Sequence, residues 1–120
     1  MVEKVGDGYS IGHLRIKYLD LANISFAQNN YPLCHGYIKD FLDTVEENGE
    51  AGHLIKDEFD RVMRYKKEQI ESLGKQVQDL GYLERKDVEN QARDQIEVNA
   101  LHDMKEICWR ISLEKGLFYD

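Results

Sequence analysis

Proline occurs once in the chain, at Pro32, and no stretch is rich in glycine and serine together, so nothing reads as an interdomain linker. No apolar run approaches the roughly 20 residues needed to cross a bilayer, which excludes a membrane-spanning helix. The opening residues Met1 to Gly8 lack the apolar core of a signal peptide. Cysteine is scarce: Cys34 and Cys108, both in expected helices, read as reduced, partly buried thiols rather than a disulfide scaffold. A cytoplasmic location follows as the expectation. Alternation of apolar and polar residues is also missing, which argues against a sheet. Finally, there is no excess of basic residues. The net charge is −7, from 23 acidic and 16 basic side chains. The balance is −4 over residues 1–50, 0 over 51–81 and −3 over 82–120, so no basic segment is hidden by the average. Nucleic acid and anionic membranes are therefore poor partners.

What the chain does hold is a helical pattern. With 42% hydrophobic and 32% charged residues in 120, it has the composition and length of one globular domain spanning 1–120. Residues 1–9 read as an arm. Ser10 can cap a first helix over about 11–28, since its hydroxyl can accept from first-turn N–H groups. Ile11, Leu14, Tyr18, Leu21 and Ala22 form one stripe of that helix. Ile16, Leu19 and Phe26 lie off it, so this helix is expected to sit between others. Asn29-Asn30-Tyr31-Pro32 breaks the chain, asparagine tolerating the left-handed conformation and proline suiting a first helical turn. A second helix is expected over about 32–48, with Leu33, Cys34, Tyr37, Ile38, Phe41, Leu42 and Val45 on one side.

Asn48-Gly49-Glu50-Ala51-Gly52 is the next stop. A third helix over about 52–80 carries Ile55, Phe59, Val62, Ile70, Leu73, Val77 and Leu80 at three- and four-residue steps. Gly81 is expected to end it with a positive φ. A fourth helix over about 84–116 carries Val88, Ala92, Ile96, Ala100, Met104, Ile107 and Ile111. Gly116 stops it and leaves a tail, 117–120. If the third and fourth helices fold antiparallel about residues 82–83, Val77 meets Val88, Leu73 meets Ala92, Ile70 meets Ile96, Phe59 meets Ile107 and Ile55 meets Ile111. One register satisfies five levels. The expected fold is all-α with four helices: a short N-terminal helical hairpin packed on a long antiparallel C-terminal hairpin. Asp57/Arg61, Asp60/Arg64, Glu71/Lys75, Glu89/Arg93 and Glu106/Arg110 would add helical ion pairs, each about 0.2–0.5 kcal/mol.

Lys66 and Gln69 interrupt the third stripe and, in this register, face Asn99 with Glu97 in reach. A polar layer of Lys66, Gln69, Glu97 and Asn99 is expected there, with Lys66 paired to Glu97. Such a layer fixes register or meets water, or else lines a ligand pocket. Four histidines, His13, His35, His53 and His102, show none of the close ligand spacing of zinc sites, so no metal or other cofactor is expected. Gly6-Asp7-Gly8-Tyr9-Ser10-Ile11-Gly12 has the glycines of a phosphate loop without a preceding strand or a loop lysine.

Glu46-Glu47-Asn48-Gly49-Glu50 resembles the E-E-x-x-E motif of MazG-like nucleotide pyrophosphohydrolases, all-helical enzymes in which such acids bind magnesium. The likeness covers five residues. It implies a metal-dependent helical nucleotide hydrolase, although Asn48-Gly49 breaks the helix that would align Glu46, Glu47 and Glu50. Tyr18, Leu21, Ala22, Cys34, Ile38 and Leu42 are similarly placed to the packing residues of a tetratricopeptide helix pair. With no second copy, they describe generic hairpin packing.

No catalytic residues emerge. The sequence favours a non-enzymatic helical interaction or assembly module. Its partner would be a protein, possibly a second copy in a homodimer, because the long hairpin exceeds what two short helices can cover. Leu117, Phe118 and Tyr119 are partner-binding candidates, with folding back onto the domain as the alternative. The competing functions are the MazG-like hydrolase and an acidic inhibitor that mimics nucleic acid.

Overall fold

Ser10 caps the first helix: its hydroxyl accepts from the His13 N–H at 3.3 Å and starts α1, Ile11–Ala27. The computed structural model describes residues 10–119, so the expected arm 1–9, with most of its glycine-rich loop, and Asp120 lie outside the described residues. Three further helices follow: α2 (Tyr31–Asp43), α3 (Glu50–Gln76) and α4 (Tyr82–Lys115). There is no strand among the described residues. No helix of the described residues is long and apolar enough to cross a membrane.

The turn after α1 is set by Asn29, whose φ is +60°. The Asn30 N–H reaches Ser25 O at 2.8 Å and the Asn29 N–H reaches Phe26 O at 3.0 Å. These are the two bonds of a Schellman end, and they satisfy carbonyls a helix otherwise leaves unpaired. Asn30 then accepts from the Leu33 N–H and starts α2, with Pro32 in its first turn. The two helices consequently double back and pack as a hairpin.

At the other end, α3 and α4 form the second hairpin, and α1 and α2 both rest on α4. The core lies where all four meet. Leu19, Ala22, Cys34, Ile38, Phe41, Ile55, Leu101, Ile107, Cys108 and Ile111 compose it. Leu19, outside the expected stripe, is completely buried because α1 is flanked by both α2 and α4. Beyond this base, the hairpin continues alone. The radius of gyration is 17.5 Å, against about 14 Å for a compact domain of this length, and the long axis is 62 Å.

Several boundaries differ from the sequence pattern. α2 ends at Asp43, not near 48. Thr44 turns its hydroxyl back to Phe41 O at 2.6 Å, and a turn through Glu46 and Glu47 follows. That turn lies against the start of α3. A β-carbon on Gly52 would stand 2.2 Å from Glu46 O and 2.9 Å from Glu47 O, so only glycine admits this approach. α3 ends at Gln76, with Val77 to Leu80 forming the turn. Gly81 is extended, φ −60° and ψ 156°, and caps the start of α4 instead of ending α3 with a positive φ. Gly116 does adopt φ +67°, and the Leu117 N–H closes the end of α4 onto Ser112 O at 2.9 Å.

Candidate functional site

Charge first locates where the projecting hairpin leaves the base. Lys66 Nζ stands 2.6 Å from Glu97 Oε2, joining α3 to α4 across the seam. Gln69 and Asn99 line the same recess, of about 280 Å3, beside Val62, Tyr65 and His102. Asn99 Oδ1 accepts from Gln95 Nε2 at 2.9 Å, along its own helix. Lys66 is mostly covered and Glu97 is half exposed, so water screens the pair. Lys66→Met is expected to change unfolding free energy by no more than about 1 kcal/mol, read from urea denaturation.

Of the remaining ion pairs, two cross the seam and two lie within α4. Arg110 of α4 meets Glu58 of α3, and its second amino group lies 3.9 Å from Glu114. Glu106, the partner the four-residue spacing offered, is taken by Lys105 at 3.5 Å. Lys115 Nζ reaches Glu50 Oε1 at 2.7 Å. That contact holds the Glu50 carboxyl below its ordinary value, through the hydrogen bond first and charge second. Exposed i,i+4 pairs gain little against side-chain entropy, so cross-helix partners at similar distance compete effectively.

Glu50 therefore turns toward Lys115, while Glu46 and Glu47 sit in a turn outside any helix. The three acids of the E-E-x-x-E pattern share no helical face. Among the described residues, no group of three His, Cys, Asp or Glu side chains stands where it could hold a metal ion. His102 is instead 5.6 Å from the Phe26 ring. The thiols are not poised for attack: burial pushes Cys108 up to about 12. Burial also raises Cys34, Lys105 offsetting it only in part. A protonated thiol is a poor nucleophile.

The tail folds back. Leu117 and Phe118 pack against the core, and Phe118 meets Trp109 edge-to-face at 5.1 Å. Of the three tail residues, Tyr119 is the one offered to solvent.

Two side chains that the sequence pattern did not single out hold the base together. Arg15 reaches three acceptors from α1: Nε to Thr44 Oγ1 at 3.1 Å, Nη2 to Thr44 O at 2.6 Å and Nη1 to Leu117 O at 3.0 Å. It thereby bonds to the C-terminal ends of α2 and α4 at once, where a cation is favoured by both helix dipoles. Lys105 is 7% exposed, with its ammonium 5.1 Å from the centre of the Phe26 ring. Leu101, Lys105, Cys108 and Ser112 follow three- and four-residue steps on α4, a second buried stripe facing the N-terminal hairpin.

Exposed apolar side chains are found on both the base and the projecting hairpin. On the base they include Ile24, Leu33 and Leu113; at the turn of the hairpin Tyr82 is 66% exposed and Leu83 76%, with Leu80 and Val88 also exposed nearby. The class the geometry defines is thus an all-helical fold of two hairpins, one of which extends past the other. No protein-family model matches the chain, and neither a curated protein nor a solved structure matches it.

Proposed function

We propose that the chain is a non-enzymatic helical module that acts through protein contacts, with the far end of the α3–α4 hairpin as its contact arm. The observation that supports this most is the exposure of Tyr82 and Leu83 where the arm turns. Adjacent large apolar side chains at a rod's end gain by burial against another surface. The first partner to test is a second copy of the chain, because two-fold homodimers are the commonest assemblies.

Sedimentation velocity provides the test. A dimer is expected near ~100 μM, in keeping with a small interface below about 1,200 Å2. Tyr82→Ser with Leu83→Ser should return it to monomer while leaving the urea midpoint unchanged, since neither side chain contributes to the core. A wild-type chain that stays monomeric throughout would remove self-association by the arm.

A further inference from the structure

α2 and α3 are consecutive and antiparallel, yet they are not among the helix pairs that pack; each rests on α4 instead. Two open recesses lie between them, sharing no lining residue, and successive positions of one α3 stripe place them end to end along a single valley. One recess of about 520 Å3 lies at the end near their connecting turn, floored by Ile55 and Phe59 with Leu42 and Val45 on the facing wall. A second, of about 450 Å3, lies at the other end, where Tyr31 and Pro32 face Met63 over Leu101 and Met104. On α3 the lining positions are 52, 55, 56, 59, 60, 63 and 66, a single stripe at helical spacing. From 52 to 66 the stripe makes 14 residue steps, or about 21 Å at ~1.5 Å per residue. That is the length of a four-turn helix.

The rim carries a sign. Asp43, Glu47 and Asp60 line one end against Lys56 alone. At the other end Asp94 and His35 stand beside Lys66 and Glu97, which neutralise one another. Carboxylates therefore outnumber lysines at both ends of an apolar floor. An anionic lipid surface is repelled by such a rim. A small ligand would want converging polar groups, whereas these are spread along the edges. What matches apolar floor, acidic edges and length together is a helix with one apolar face and basic flanks.

We infer that the valley between α2 and α3 receives an amphipathic, basic-flanked helix of about four turns from another protein. The inference rests on the reading of the chain as a contact module, but it uses a surface separate from the arm.

Fluorescence anisotropy with two labelled synthetic peptides of about 18 residues tests it. Both carry leucine at three- and four-residue steps; one has lysine flanking that face and the other glutamate. The lysine peptide should bind about tenfold more tightly or better. Asp43→Lys with Asp60→Lys should abolish that preference. The control Glu71→Lys with Asp79→Lys makes the same change in net charge on the exposed outer hairpin and should keep it. The Tyr82→Ser, Leu83→Ser variant should also bind normally. Failure of the lysine peptide to bind, equal binding of both peptides, or equal loss in both charge variants would overturn the valley as the site. Loss on changing Tyr82 and Leu83 would transfer binding to the arm, overturning the inference while leaving the contact-module reading in place. A monomeric chain that still prefers the lysine peptide through the valley would do the reverse to the arm.

Discussion

Replacing Arg15 by alanine is expected to lower the unfolding free energy by about 3 kcal/mol, as measured by urea titration. Its guanidinium joins three elements through charge-assisted bonds to Thr44 and Leu117. Removing it leaves Thr44 O and Leu117 O facing a partly buried gap with no donor, and acceptors stranded in this way account for most of the loss. The positive charge between two helix C-termini disappears as well. Lysine should restore less than half of the loss, because an ammonium cannot reproduce the fork that meets two carbonyls and a hydroxyl together. Equal stability of the lysine variant and wild type would mean that charge alone matters there. A stability of several kcal/mol in total makes this one side chain a large share of it.

Phe41→Ala should cost about 3–5 kcal/mol, the largest expected effect of any single truncation in the chain. Phe41 is the bulkiest of the fully buried side chains and sits at 0% exposure between the two hairpins. Its removal sacrifices the transfer energy of an aromatic ring and opens a cavity that rigid helices close only partly. Leu83→Ala offers the matched contrast. That leucine is 76% exposed, and its loss should shift stability by less than about 0.5 kcal/mol. Thermal unfolding followed by circular dichroism separates the two at once: a drop of many degrees for Phe41 and almost none for Leu83. Similar shifts would contradict the division into a packed base and an uncovered arm.

The pairing of α3 with α4 is legible in the sequence because their apolar stripes can be satisfied together in only a few alignments, although Val88, expected in the seam opposite Val77, is 42% exposed. Lys66 with Glu97 and Lys115 with Glu50 lie at the levels that alignment sets. Ser10, Asn29 and Gly116 were readable for a similar reason: each works through backbone atoms within a few positions. Arg15 was not, since its acceptors lie 29 and 102 residues away and no local pattern marks them. Lys105 was hidden differently. Charge argues for solvent, while the stripe through Leu101, Cys108 and Ser112 turns the side chain inward, with its ammonium over the Phe26 ring.

The end of α2 shows how tertiary contact overrides phase. Val45, Glu46 and Glu47 continue a good helical pattern, yet the helix stops at Asp43. Arg15 and the Thr44 hydroxyl take up the terminal carbonyls, and Gly52 lets the turn settle onto α3. Gly81 departs from its expected role for the opposite reason. Glycine permits a positive φ without requiring one, and the turn through Val77 to Leu80 had already reversed the chain before reaching it. Val77 remains buried in that turn, so the stripe keeps its last anchor without the helix extending to hold it.

An unbroken α4 has a mechanical consequence. Its 34 residues make one rod of about 51 Å, rooted among Ile107, Cys108 and Ile111 at one end and bearing Tyr82 and Leu83 at the other. Anything grasping the free end holds a lever whose fulcrum is the core.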